Sequence, residues 1–460
     1  MDDSPHITPR HYLTGDIPGV GGQVRQRPED FIVEEIPLYD PCGTGEHIYL
    51  YVQKVNLSTS ALVEIVARHF GVRPAEVGYA GLKDRRAVTR QVLSVHAPGR
   101  RPEDFPALVH ERVSVLWVDL HTNKLRRGHL RGNRFAIKIR GVPTASVLPA
   151  RRVMQALERA GLPNRIGEQR FGYLHTNHLV GRAVLRGDYE GAVRVLLSPH
   201  APPPGRPSDD HEREAKTLYA EGRLREAARL MPAYATSERA VISALARGAD
   251  AREAFRAVPG VQRIFYLTAF QSAVFNSVLD RRMESVGIGG LIEGDVAMIH
   301  DRGAMFGVDA ATAGDPETLR RLESLEISPT GPMWSAGMMR ASGSVDEVER
   351  RCLLEAGVTL DDLTAYERRS TSAGHRDHLE GKRRPLRVPL GVPEVEAGAD
   401  EHGLYLRLSF ELPAGAFATT VLQEVMKSTS ADTGDGPVTG EPGASGRDGT
   451  RGETGTEGVA

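Results

Sequence analysis

The sequence predicts an α/β protein of the α+β kind, a mixed-sheet domain into which a helix-rich α/β domain is inserted. Three observations predict it. Apolar and polar residues alternate with a period of two through much of residues 28–140, helical spacing takes over from Phe171, and strand-like runs return after Lys382. The expected divisions are a flexible lead-in at 1–20, a first sheet segment at 21–170, and the insertion at 171–378. A second sheet segment at 379–427 and a disordered, acidic, Gly-rich tail at 428–460 complete the chain.

Taken in order, residues 28–37 and 47–54 read as strands separated by a turn at 41–46. Ser58 or Thr59 caps a helix whose Leu62, Ile65, Val66 and Phe70 share one face up to Gly71. Residues 91–95 and 113–120 are further strands. Phe135, Ile137 and Ile139 line one face of another, with Asn133 just before it, and a helix is expected at 153–160. In the insertion, helices are expected at 178–185, 189–197, 212–230, 236–246 and 265–286, the last being the core helix because 266–279 is apolar along one side. Residues 202–208 read as a surface loop, 295–299 as a strand and 328–332 as a turn. Strands return at 382–388 and 403–412, and 413–425 is a loop entering a terminal helix.

A chain of 460 residues with 40% hydrophobic and 26% charged content has the proportions of two or three globular domains. No apolar run is long enough for a membrane span, and Met1-Asp-Asp-Ser-Pro-His lacks the basic and apolar regions of a signal peptide. A cytoplasmic protein with no membrane partner is expected. Cys42 and Cys352 make neither a disulfide framework nor a zinc site, so both are expected to be reduced and structural. The net charge is −2, but six acids against two arginines give residues 428–460 a charge of −4 and leave the body at +2. Phosphate binding would therefore rest on local clusters. Three qualify: Lys83 to Arg90; Lys124, Arg126, Arg127, Arg131 and Arg134; and Lys382, Arg383, Arg384 and Arg387.

The string Val77-Gly-Tyr-Ala-Gly-Leu-Lys-Asp-Arg-Arg-Ala-Val-Thr-Arg-Gln91 sets one acid, Asp84, among glycines and cations. Gly78 and Gly81 permit positive φ or close approach to a ligand, and Lys83, Arg85, Arg86 and Arg90 favour the ionised carboxylate. Such a group fits a nucleophile, a base or a metal ligand. By spacing alone a turn with a surface ion pair is the favoured reading.

The whole string resembles the signature of the TruD-type tRNA pseudouridine synthases, roughly G-x-A-G-x-K-D-x-x-A-x-T-x-Q. Residues 162–172, with the core N-x-x-G-x-Q-R-F-G, resemble a second signature of that family. The likeness runs from Gly21 to about Lys427. It implies a pseudouridine-synthase-like sheet domain with the family's inserted domain, a cleft for RNA between them, and Asp84 as catalytic nucleophile. It also carries over Phe31 from D-F-x-V-x-E, Asn133 and Phe135 from N-x-F, and Phe417 from L-P-x-G-x-F-A-T as substrate-binding residues. Lys83 and Arg25 join this set, Arg25 standing where many relatives are expected to have lysine; Arg165-Ile166 is a second departure. Isomerising uridine breaks the bond from ribose to N1, turns the base and rejoins it through C5, which needs a carboxylate, an aromatic wall and an extruded base. No cofactor or metal is expected, tRNA is the expected partner with uridine-13 of the D-arm as target, and a monomer is expected. Phe31 and Phe135 at inward strand positions also read as core, whereas Phe417 lies in a loop beside glycine.

Two rival readings come from the same residues. One is a metal hydrolase, because His375-Arg-Asp-His378 and the pair His175 and His178 place imidazoles close in sequence, but neither spacing matches H-E-x-x-H. The other rival is a non-catalytic RNA-binding or RNA-folding protein on the same scaffold.

Overall fold

A computed structural model describes residues 11–199, 209–372 and 378–427. The loop expected at 202–208, the tail at 428–460, His375 and half of the lead-in lie outside these residues. The first half of the chain lays down β1 (Phe31–Pro37), β2 (His47–Val55), α1 (Thr59–Phe70), β3 (Val77–Tyr79), β4 (Val88–His96), β5 (Val113–His121), β6 (Leu130–Arg140), α2 (Val147–Ala160) and β7 (Leu162–Pro163). Ser58 caps α1, its Oγ accepting from the Ala61 amide at 3.1 Å, and Gly71 closes it at φ 67°. α2 begins ahead of the expected 153 because Pro149 sits in the first turn, where its missing N–H costs nothing.

Helices α3 (Asn177–Arg186), α4 (Tyr189–Leu197), α5 (Asp210–Ala220), α6 (Leu224–Leu230), α7 (Thr236–Leu245), α8 (Ala251–Arg256) and α9 (Gly260–Glu284) follow. The single helix expected at 212–230 is two, interrupted where Gly222 turns at φ 78°. Then come β8 (Val296–Ile299), β9 (Met305–Gly307), α10 (Ala310–Gly314), α11 (Pro316–Glu323), β10 (Ile327–Met333), α12 (Gly343–Glu355), α13 (Leu360–Ser372), β11 (Lys382–Pro385), β12 (Arg387–Val388), β13 (Gly391–Asp400), β14 (Gly403–Pro413) and α14 (Ala418–Met426).

The turn expected at 328–332 is instead the buried strand β10. β8 pairs with Ile327 to Pro329 on one side and β11 with Thr330 to Met333 on the other, so each half of the strand has an edge where proline is tolerated. The smaller sheet runs β11-β10-β8-β9. The larger has eight strands in the order β13-β14-β6-β1-β4-β2-β5, with β3 beside β4, and only β1 and β4 pair in parallel. β14 pairs with β6 from Tyr405–Arg140 to Pro413–Gly132, so segments from before and after the helix-rich stretch share one sheet.

Register puts Val33, Thr89 and Lys54 in one row, so β1, β4 and β2 present one common face. On it α1 packs Leu62 and Val66 against Ile48, Leu50, Val52 and Leu93. α2 and α14 cover Phe31, Val33, Phe135, Ile137 and Phe410 in a second cluster. The loop after β3 lies at the seam between the two. Gly78, inside β3, is required by packing, since a Cβ there would stand 2.2 Å from the Leu125 carbonyl oxygen, and neither Gly78 nor Gly81 takes positive φ. The expected close approach at Gly78 is thus to the protein's own backbone. Gly78→Ala should lower the unfolding free energy by about 2 kcal/mol, the cost of overpacking, in urea titration.

Candidate active site

Three hydrogen bonds hold the Asp84 loop against β2, α1 and the connection between them, and a fourth ties Lys54 to that connection. The Lys83 amide donates to Thr59 Oγ1 at 3.0 Å and the Asn56 amide to the Ala87 carbonyl at 3.1 Å. Lys54 Nζ donates to the carbonyls of Leu57 at 2.6 Å and Asp84 at 2.9 Å. The backbone of Asp84 is therefore held from below while its carboxylate, 36% exposed, faces outward. One Asp84 oxygen accepts from Arg25 Nη2 at 3.1 Å. Arg25 lies over the ring of Phe31, 4.1 Å from its centre, and has a φ of 58°. An arginine in the left-handed region is strained by about 1–2 kcal/mol, a conformation that surrounding structure must enforce.

Lys83 turns inward. Its Nζ pairs with Glu35 at 2.7 Å and donates to Asn133 Oδ1 at 2.8 Å, and both ion-pair side chains are almost fully buried. Asn133 lies inside β6, not ahead of it, opposite Glu35 on one side and Leu412 on the other. The polar residues before Phe135 are in a strand because β1 and β14 flank them and complete their ladder. Phe31 and Phe135 are buried, meeting edge to face at 6.4 Å, and Phe135 stacks on Phe410 at 5.3 Å. Phe417 belongs to a different group: it is half-buried at the head of α14, near Gly167 and Arg384. The structure thus joins Asp84, Arg25 and Phe31 in one contact set and Lys83, Asn133 and Glu35 in another, with Phe135 behind them and Phe417 on a separate wall.

The family model described as tRNA pseudouridine synthase D (TruD) matches residues 8–425. The chain belongs to the TruD family of tRNA pseudouridine synthases. It is 42% identical to "tRNA pseudouridine synthase D" of Geobacter metallireducens over 424 residues, covering 92% of this chain and 99% of the relative. The protein of that description from Thermus thermophilus is 35% identical, with 92% and 93% covered. A crystal structure of a candidate tRNA pseudouridine synthase D from Methanosarcina mazei superposes with a TM-score of 0.77 at 27% identity, covering 94% of this chain and 99% of that one.

Against this TruD frame, the basic clusters divide. Arg85 and Arg86 are exposed beside Asp84, as are Arg126 and Arg131. Arg90 bonds Gln53 and faces Glu34, and Arg134 is forked onto Glu411. The third cluster is mostly interior, contrary to expectation. Arg383 is buried on Glu349, and Arg387 donates to the carbonyls of Ala160 and Leu322. Arg383 lies on β11 and Arg387 on β12, and both are buried. Cys352 is buried as expected, but Cys42 is exposed in its turn. Among the described residues no helix is long and apolar enough to cross a membrane.

Lys54, Glu35 and Thr59 are contributors that the sequence reading left unassigned. The signal was present: Lys54 continues the inward row Ile48, Leu50, Val52, and Glu35 continues Phe31, Val33. A charge in a buried register demands a partner. Burial, opposed by Asp84 and assisted by Lys83, lowers the Lys54 pKa from 10.5 to about 8. Between pH 8 and 10.5 the folded chain has lost a proton that the unfolded chain keeps, so this group makes stability rise with pH. Relative to Lys54→Met, wild-type unfolding free energy should gain up to about 3 kcal/mol across that window in urea titrations.

Proposed function

We propose that the protein isomerises uridine to pseudouridine at position 13 of the tRNA D-arm, with Asp84 as the nucleophile. The observation that supports it most directly is the exposed Asp84 carboxylate, paired with Arg25 while buried Lys54 grips its carbonyl. Such a carboxylate is held in place without being used up by a structural role. Arg25 faces it at 3.1 Å, its planar guanidinium covering Phe31. Entry of a uridine over Phe31 requires this guanidinium to swing aside, after which Asn133 offers an amide to the base edge and Phe417 an aromatic face.

In this reading an Asp84 oxygen bonds to the nucleoside, the bond from C1′ to N1 breaks, the uracil turns in the cleft, C1′ joins C5, the bond to Asp84 breaks to restore the carboxylate, and the C5 proton leaves while N1 gains one. No redox or metal chemistry enters. Residues 21–170 and 379–427 form the catalytic domain, residues 171–378 the inserted domain, and the RNA lies between them on a monomeric, cytoplasmic enzyme. The test is to incubate unmodified tRNA with the purified protein in chelator and map carbodiimide-dependent reverse-transcription stops. A new stop at uridine-13 is expected; tRNA bound without any stop would reject the assignment.

A further inference from the structure

The head of α14 collects positive charge that no carboxylate balances among the described residues. Arg384 reaches it from β11, Nη2 donating to the Gly415 carbonyl at 2.9 Å, with its guanidinium 6.0 Å from the centre of Phe417 and 5.6 Å from that of Phe275. Its other bonds go to the carbonyl and side-chain oxygens of Asn164, leaving Nη1 with no hydrogen-bond partner among the described residues. Arg170 enters from the loop whose Gly167 lies under α14, where an added Cβ would stand 3.1 Å from Thr419 Oγ1 and 3.9 Å from the Phe417 ring. Its guanidinium sits 5.2 Å from the Phe265 ring. Among the described residues Thr419 Oγ1 is buried without a partner, and Phe417 caps α14 with no side-chain bond.

Burial, then the charge of Arg170, lowers the Arg384 pKa to about 10, and burial lowers that of Arg170. Two half-buried like charges with no counter-ion among the described residues cost free energy that an incoming anion would recover. The fork of a guanidinium matches phosphate oxygens, and the first-turn amides of α14 add to it. We infer that Arg170, Arg384 and the first turn of α14 hold one phosphodiester of the RNA, next to the uridine presented to Asp84. The site adjoins that uridine because β14 carries Leu412 opposite Asn133, the acceptor of Lys83, and reaches Phe417 five residues later. The assignment rests on the RNA reading proposed above.

The test is an affinity cycle using the full chain and tRNA carrying a single neutral methylphosphonate 5′ or 3′ to uridine-13. Wild type should lose roughly 10- to 100-fold in affinity at one of these positions. Arg170→Met, which breaks no recorded hydrogen bond, should bind unmodified tRNA weaker by a similar factor and show no further loss with that methylphosphonate. If Arg170→Met does not fold, Arg384→Lys, which keeps charge without the fork, takes its place in the cycle. Losses that multiply at both positions would overturn the contact. So would wild-type affinity blind to both substitutions while inorganic phosphate competes with tRNA, an outcome that assigns the site to a free anion. Affinity is read separately from turnover, so wild type that forms no pseudouridine would reject the proposed function and leave the cycle readable.

Discussion

Asp84→Asn should abolish pseudouridine formation, lowering the single-turnover rate on unmodified tRNA by on the order of 10⁴-fold or more, the scale seen on removing a nucleophile. The substitution is nearly isosteric. Lys54 holds the backbone carbonyl of residue 84, so the loop keeps its anchor, and the amide bonds to Thr59 and from Asn56 are untouched. What is lost is the negative charge that faces Arg25. tRNA affinity should stay within about threefold or improve, because a charge repelling phosphate is gone. Asp84→Glu should also fall, by about 10²-fold, since an extra methylene displaces the carboxylate by roughly 1 Å while Lys54 holds the backbone of residue 84 in place. An Asn variant within tenfold of wild type would reject Asp84 as the nucleophile.

That loop was legible in the sequence because its chemistry is contiguous: Lys83, Asp84 and their glycines lie in one string. Strand positions were legible wherever alternation is strict, as in β1, β2 and β14. β13 was not, because an edge strand with Pro393, Glu394 and Glu396 carries little apolar pattern. β10 was misread because its Ser, Pro and Gly content follows local turn chemistry, while its conformation is dictated by burial between β8 and β11. The partners of the site were harder still. That Lys54 belongs to Asp84, and Glu35 to Lys83, depends on pairing β2 and β1 through β4, and no local spacing encodes that order.

The run Lys382-Arg-Arg-Pro-Leu-Arg387 shows how pairing alters meaning, and it carries the largest expected effect on stability. As sequence it is a phosphate cluster. As structure, Arg383 lies on β11 with its fork on Glu349 at 2.6 and 2.8 Å, and with further bonds to Thr330 Oγ1 and to the Thr330 carbonyl. Both ion-pair side chains are no more than 2% exposed. Arg383→Met strands a buried carboxylate and should lower the unfolding free energy by about 3–5 kcal/mol. Burial already raises the Glu349 pKa against the pull of Arg383, and removing the guanidinium raises it further. A carboxyl whose folded pKa lies above its unfolded value binds its proton in the folded state first, so stability falls as pH rises through that interval. The variant's deficit against wild type should therefore be smallest near pH 5 and grow toward pH 8 in urea titrations. Because Arg383 touches no solvent, the salt dependence of tRNA binding should be the same for both proteins at a temperature where both are folded. A slope less steep by about one phosphate contact in the variant would return Arg383 to the RNA interface.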